Sequence, residues 1–293
     1  MGNFLDFWQN LPLHTDPVLI HFGPLRVQWY GLMYIIAFTI VYFLARHRCK
    51  TESRFASYDD EYLKNILTFG FVGVLIGGRL GYVLFYNLEY YINHPLEIIL
   101  PFSFENGGFR FTGISGMSYH GGVTGAFVGS WLFARRYKAD YWNLADLFVP
   151  SAALGYTVGR IGNFINGELW GRVTTSAIGM HFPLAPNPTL LRHPSQLYEA
   201  FFEGIFLFAI LWSIRKLKWP KGAMAAFYIF GYGLVRFCIE FFRQPDAHLG
   251  FVLMNKFSMG QVLCGTMMLL GVVLYLYLSF RKTSDGVEPA RGF

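Results

Sequence analysis

Charge is what this chain has least of. Only 14% of its 293 residues are charged, where soluble domains average about 25%. The mean hydropathy is positive, +0.35. That shortage argues against the one or two soluble domains the length alone would allow. Cysteine is equally thin. Cys49, Cys238 and Cys264 form no CxxC pair and no metal-like cluster, which leaves no disulfide framework. Cys238 and Cys264 lie in apolar runs and are expected to be small buried hydrophobes. No metal site and no cofactor is expected. The first residues, "MGNFLDFWQNLPLHTD", lack the basic stretch of a signal peptide. Asp6 stands where a myristoylation pattern needs Ser or Thr. Without internal repeats, an inverted-repeat transporter is not favoured. A pI near 9.2 without a long basic run makes nucleic acid a poor partner, and basic loops beside a bilayer account for it better.

What is present is apolar sequence in lengths that suit a bilayer, which a helix of about 20 residues crosses. Seven spans are expected, at roughly 27–45, 65–87, 120–135, 143–164, 196–214, 222–242 and 259–280. Basic residues mark every second connection: Arg46, Arg48, Lys50, Arg54 and Lys64; Arg135, Arg136 and Lys138; Arg215, Lys216, Lys218 and Lys221; Arg281, Lys282 and Arg291. These connections are expected inside, with the N-terminus outside and the C-terminus inside. The other connections, 88–119, 165–195 and 243–258, are poor in Lys and rich in turn formers. The chain therefore reads as one all-α integral membrane domain over residues 1–293, with seven transmembrane helices and a small extracytoplasmic head built from loops. Gly73, Gly77 and Gly81, and Gly121, Gly125 and Gly129, recur every four residues and predict close helix packing.

An ionisable residue in a span costs about 2.5–3.5 kcal/mol on insertion scales, so each needs a reason. Most sit at the outer ends. His120 opens the third span, Arg160, Asn163 and Glu168 close the fourth, and Tyr30 starts the first. Tyr232, Arg236, Glu240 and Arg243 recur at four, four and three residues, which predicts one helix face. On this reading Glu240 partly neutralises Arg236 and Arg243, and with Arg160 the face keeps a net positive charge. Arginine suits bidentate phosphate binding, and at lipid depth the abundant phosphate is a phospholipid headgroup. Plainer readings stand beside these. Arg243 could simply snorkel, Arg79 is expected to pair structurally, and Tyr30 with Trp29 could be an interfacial anchor.

The stretch "GRIGNFINGELWGR", residues 159–172, resembles the signature of bacterial phosphatidylglycerol–prolipoprotein diacylglyceryl transferases. Gly159, Arg160, Asn163, Phe164, Asn166, Glu168 and Gly171 carry the match. "QWYGLMY" at 28–34, "YHGG" at 119–122, "RHPSQLYE" at 192–199 and "EFFRQPD" at 240–246 look like family text as well. The stretches 101–116 and 173–191 carry no matching motif. The resemblance implies transfer of a diacylglyceryl group from phosphatidylglycerol to the lipobox cysteine of a preprolipoprotein. Glycerol phosphate leaves, and the reaction takes place in the bacterial inner membrane toward its outer side. His120 is then the expected base for the thiol, with Glu168 an alternative. Arg160 and Arg236 would stabilise the leaving phosphate. Tyr30, Asn163, Asn166, Glu168, Gly171, Tyr232, Glu240 and Arg243 would line the substrate site, with Gly167 and Gly171 allowing tight turns. Two rivals remain at this point. A lipid transporter or scramblase with a phosphate cavity also needs intramembrane charge, and a seven-span receptor is supported by span count alone.

Overall fold

A computed structural model describes residues 4–22, 25–100, 102–103, 110–111, 116–244, 251–253 and 257–285. Pro245 and Asp246 of "EFFRQPD", the "ENGG" turn at 105–108, and Arg291 lie outside the described residues. The fold is mostly helical, with helices at all seven expected places: α2 (Trp29–Thr51), α3 (Asp60–Tyr86), α5 (Tyr119–Arg136), α6 (Tyr141–Ile165), a continuous run from α7 (Ser195–Glu199) to α8 (Leu207–Ile214), α9 (Ala223–Ile239) and α10 (Met259–Asp285). Four of these are long and apolar enough to cross a membrane: Trp29–Thr51, Asp60–Tyr86, Ser195–Ile214 and Met259–Arg281. Two short helices, α1 (Phe4–Asn10) and α4 (Leu88–Asn93), lie outside the expected spans. The strands are few and form three antiparallel pairs: β1 (Val18–Phe22) with β2 (Leu25–Gln28), β3 (Phe102–Ser103) with β4 (Arg110–Phe111), and β5 (Phe251–Leu253) with β6 (Phe257–Ser258).

The chain forms two compact units. One comprises residues 56–144. Its helices start on sequence-encoded caps. Asp59 accepts from the Tyr62 N–H at 2.7 Å, Ser118 from the Gly121 N–H at 3.2 Å, and Asp140 from Trp142 and Asn143. The glycine stripes meet as expected. A methyl at Gly81 would lie 2.8 Å from the Gly121 Cα, and one at Gly77 would lie 2.7 Å from the Gly125 Cα. Only glycine lets two backbones approach so closely. Arg79 is structural, also as expected. It donates to the carbonyls of Ile98 at 2.8 Å, Glu97 at 2.5 Å and Gly116 at 3.4 Å, and its guanidinium lies over the Tyr91 ring.

The other unit comprises residues 1–55 and 145–293. Its organiser is α6, which contains Pro150. Proline lacks an N–H, so the helix loses a bond to the carbonyl four residues back, that of Asp146. Arg48 fills the gap: it is 1% exposed and donates to the carbonyls of Asp146 at 2.5 Å and Leu147 at 2.8 Å. Glu52 grips the same guanidinium twice, at 2.9 Å each. The Asp146 carboxylate accepts from the Gly222 and Met224 amides and thereby caps α9. Glycines seat α2 on α6. Gly155 leaves room for Val41, and Gly162 for Tyr30 and Met33. One expectation fails here: Cys238 is exposed on an apolar helix, whereas Cys264 and Cys49 are buried.

Between α6 and α7 the chain makes a compact excursion with its own core of Phe164, Met180, Phe182 and Ala185, packed by Trp8, Leu11, Trp170 and Leu197. Arg192 and Met180 exchange both backbone bonds at 2.9 Å, and the Trp8 indole donates to the Ile178 carbonyl at 3.1 Å. The 173–191 stretch, which matches no motif, therefore supplies Met180, Phe182 and Ala185 to this core.

Candidate active site

The residues expected on α6 and α9 do converge, around two acids of the run from α7 to α8 that were not among the expected site residues. The run from α7 to α8 contains a π-helical stretch, Ala200–Phe206, a rare form that is frequent at functional sites. Thr157 of α6 donates to the Ala200 carbonyl at 3.1 Å, and Gly204 permits the contact, since a methyl there would run into the Thr157 side chain. This close approach brings Glu199 and Glu203, neither with exposed surface, against the arginines.

Glu199 lies between three of them. Its Oε1 accepts from Arg236 Nη1 at 2.7 Å and lies 3.7 Å from Arg243 Nη1, while Oε2 is 2.9 Å from Arg160 Nε. Glu203 Oε1 accepts from Arg236 Nη1 at 3.4 Å, and Glu203 Oε2 accepts a hydrogen bond from the Tyr156 hydroxyl. Tyr156 in turn accepts from Arg160 Nε at 2.5 Å, with the Arg160 guanidinium stacked 4.7 Å over its ring. Tyr232 packs edge-on to Tyr156 at 5.8 Å. Glu240 pairs with Arg236 at 3.5 Å and accepts from Ser258 at 3.2 Å.

Two expectations are corrected. The first is the charge. Arg160, Arg236 and Arg243 face Glu199, Glu203 and Glu240, so the formal charges cancel and the cluster is not net positive. The carboxylates are needed because a buried guanidinium without a counter-charge is too costly. The second is the single face on α9. The helix ends at Ile239, the chain turns, and Arg243 pairs in extended backbone with Gly171. Arg243 therefore meets Glu199 and not Glu240. Arg172 fixes this turn by donating to the Arg243 carbonyl at 2.8 Å and the Glu240 carbonyl at 3.3 Å.

The signature stretch forms a chain of bonds leading away from Arg160. Arg160 Nη1 donates to Asn163 Oδ1 at 3.3 Å, Asn163 Nδ2 to Glu168 Oε1 at 2.8 Å, and Asn166 Nδ2 to the same oxygen at 3.5 Å. Glu168 thus orders the loop and its asparagines, and not the arginines. Gln196 holds the Glu168 carbonyl at 2.6 Å. Gly167 has φ +67, the left-handed turn expected of it. Gly171 serves differently: a methyl there would lie 2.5 Å from the Phe242 carbonyl and 2.7 Å from the His193 carbonyl, so it permits close backbone approach and not a turn. His193 lies in this strap with Nδ1 3.1 Å from the Tyr198 hydroxyl, and burial lowers its imidazole below the ordinary histidine value. Tyr30 rests on Gly162, with its hydroxyl 3.3 Å from that of Tyr34.

His120 belongs to the other unit. It lies in the first turn of α5, exposed, edge-on to the Tyr119 ring at 5.8 Å. Arg160, Asn163, Asn166, Glu168, Gly171, Tyr232, Arg236, Glu240, Arg243 and Tyr30 all lie in the unit with Glu199 and Glu203. Among the described residues Arg160 Nη2 has no hydrogen-bond partner, and the Arg243 guanidinium has only its long contact with Glu199. These are cationic donors left over once the carboxylates are served. The arrangement can hold an anion against fixed guanidiniums without moving buried charge.

Glu199, Glu203 and Tyr156 are not among the site residues expected from sequence. A signal was available for two of them. Glu199 and Glu203 are four apart inside an apolar run, and the desolvation cost that singled out the arginines applies equally to carboxylates.

Residues 17–277 match the sequence profile of the family described as prolipoprotein diacylglyceryl transferase. Among similar curated proteins is the phosphatidylglycerol–prolipoprotein diacylglyceryl transferase of Chlorobaculum tepidum, 52% identical over 288 residues, which cover 98% of this chain and 98% of the relative. Proteins of the same name from Oleidesulfovibrio alaskensis and Francisella tularensis subsp. mediasiatica are 46% and 41% identical. The first alignment covers 88% of this chain and 91% of the relative, and the second 94% and 97%.

Proposed function

The chain belongs to the prolipoprotein diacylglyceryl transferase family, and we propose that it moves a diacylglyceryl group from phosphatidylglycerol to the cysteine thiol of a prolipoprotein lipobox. The enzyme is read as a seven-span protein of the bacterial inner membrane, a single domain over residues 1–293, with its site toward the extracytoplasmic face and a head formed by the 165–195 excursion. The acceptor thiol has an ordinary pKa of about 8.5, so little is thiolate at neutral pH. A base takes its proton, and the sulfur attacks the glycerol carbon that carries the phosphate ester. The carbon–sulfur bond forms as the carbon–oxygen bond breaks. That electron pair leaves with glycerol phosphate, and the product is a thioether.

The observation that carries this reading is the buried arginine cluster, with donors of Arg160 and Arg243 left unused by the protein. Charge that grows on the leaving phosphate is met by guanidiniums already fixed in place, which spares reorganisation during the reaction. Because the cluster is formally neutral, the anion is recognised by aimed donors and not by net charge. Asn163 and Asn166 are assigned to headgroup hydroxyls, Glu168 to holding those asparagines and their loop, and Tyr30, Tyr232, Gly171 and Glu240 to the walls that shape the site. Arg160 and Arg236 act on the leaving group. His120 is assigned the thiol proton on the chemistry of its side chain.

The test is incubation of purified protein with phosphatidylglycerol and a lipobox peptide, followed by mass spectrometry. A thioether-linked diacylglyceryl peptide with release of glycerol phosphate is expected, with phosphatidylethanolamine giving little product. Lipid movement between leaflets without any covalent product would support a transporter or scramblase instead.

A further inference from the structure

Glu199 is not the group that orients Arg160. Its Oε2 is 2.9 Å from Arg160 Nε, yet this oxygen receives no hydrogen bond. The Nε–H points to the Tyr156 hydroxyl at 2.5 Å. The Tyr156 hydroxyl donates its hydrogen bond to Glu203 Oε2, which leaves the lone pairs of its oxygen to accept from Arg160. The other Glu203 oxygen accepts from Arg236 at 3.4 Å. The two arginines are thus joined twice, once through Glu199 and once through the path Arg160–Tyr156–Glu203–Arg236.

We propose that Tyr156 and Glu203 form a positioning strut that sets the orientation of Arg160 relative to Arg236, leaving Arg160 Nη2 turned toward the substrate phosphate. The inference rests on the transferase reading above. A guanidinium is planar, so fixing Nε on one side and Nη1 on Asn163 leaves a single direction for Nη2. Glu199 gives Arg236 a directed acceptor, but to Arg160 it supplies charge without a hydrogen bond. Glu203 sits at the crossing point because one carboxylate offers two oxygens, one for the phenol and one for Arg236. Its position within the π-helical stretch, held by Thr157 to the same helix that carries Tyr156 and Arg160, gives the strut a rigid mount. Neither Tyr156 nor Glu203 needs to touch substrate for this role.

Tyr156→Phe isolates the effect. It keeps the ring under the Arg160 guanidinium and against Tyr232, and removes only the two hydrogen bonds. Purified in detergent, the variant is expected to elute as a monodisperse protein and bind lipid, with kcat lowered on the order of 100-fold, as for other small misplacements of a reacting group. The decisive measurement is a double-mutant cycle with Arg160→Lys. If Tyr156 acts through Arg160, its removal adds little once the planar fork is gone, so the double variant should turn over about as fast as Arg160→Lys alone. Losses that multiply independently, or a Tyr156→Phe enzyme at wild-type rate, would overturn the strut. If Tyr156→Phe fails to fold, Glu203→Gln takes its place in the same cycle, with the same expected coupling and the same overturning result. A wild-type protein that makes no thioether removes the reaction itself and this inference with it. A wild type that turns over while the cycle is additive removes only the inference.

Discussion

Oε1 of Glu199 accepts a hydrogen bond from Nη1 of Arg236 at 2.7 Å, and Glu199 has no exposed surface. A carboxylate so placed holds the arginines at the cost of its own desolvation. Removing one partner of a buried pair typically costs about 3–5 kcal/mol. Glu199→Ala is therefore expected to lower thermal stability strongly in detergent, and Glu199→Gln to fold better but turn over slowly. A Glu199→Ala protein that melts with the wild type would show that the arginines do not depend on it.

Arg160→Lys and Arg236→Lys are expected to be folded and severely impaired at saturating lipid. A group that stabilises leaving-group charge acts in the transition state, and losing one such donor costs on the order of 100- to 1000-fold. Lysine offers a point charge, and it cannot contact Tyr156 and Asn163 at once from Arg160's position. Turnover with purified variants over a lipid titration measures this. Near-normal kcat with a raised KM would move both residues from the chemical step to simple binding.

His120→Asn is expected to lose activity near neutral pH and recover part of it as pH rises. Alkali supplies thiolate and so replaces the base. A pH–rate profile against the wild type decides. Parallel profiles would leave His120 a structural or substrate-positioning residue.

Gly171→Ala is expected to destabilise the strap over residues 171–172. The added methyl meets the carbonyls of Phe242 and His193, and both are backbone atoms already paired across the strap: Gly171 N–H bonds to the His193 carbonyl at 2.8 Å and Arg172 N–H to the Phe242 carbonyl at 2.8 Å. Overpacking of this kind costs about 1–3 kcal/mol. Limited proteolysis within residues 173–191 should accelerate in the variant; unchanged cleavage would show that the strap tolerates the methyl.

Reporter fusions at Lys138 and Lys218 are expected to read cytoplasmic, and fusions within residues 173–190 extracytoplasmic. A reversed pattern at either place would sink the seven-span arrangement.

The helices were legible because apolar length leaves few alternatives, and each of the seven expected segments is largely helical, with ends that differ from the expected bounds by up to six residues. The glycine stripes were legible for the same kind of reason: spacing of four gives one face, and a bare face must meet a backbone. The nearness of Arg160 and Asn163 was legible because they stand three apart on one helix, whereas the bond from Asn163 on to Glu168 crosses the helix end and was not read from the sequence. Pairings between elements were not. Arg236 and Glu199 are 37 residues apart, and no periodicity on α9 points to a partner on α7. The predicted face through Arg243 failed because the helix stops at Ile239, where Arg172 claims the following carbonyls. The neutral charge of the cluster was hidden by the same gap, since counting ionisable residues on α6 and α9 alone omits the acids opposite them.

The π-helical stretch Ala200–Phe206 makes chain length itself part of the chemistry. In an ordinary α-helix each residue turns the next by about 100°. Deleting one residue between Glu203 and Leu207 would leave composition and hydropathy almost untouched and would still let the segment cross a bilayer. It would also rotate both acids by roughly a quarter-turn relative to α8, away from the arginines they serve. At this position a single-codon deletion is a rotation of the two acids against their arginines, and mutational tolerance in this helix is set by register before it is set by residue type.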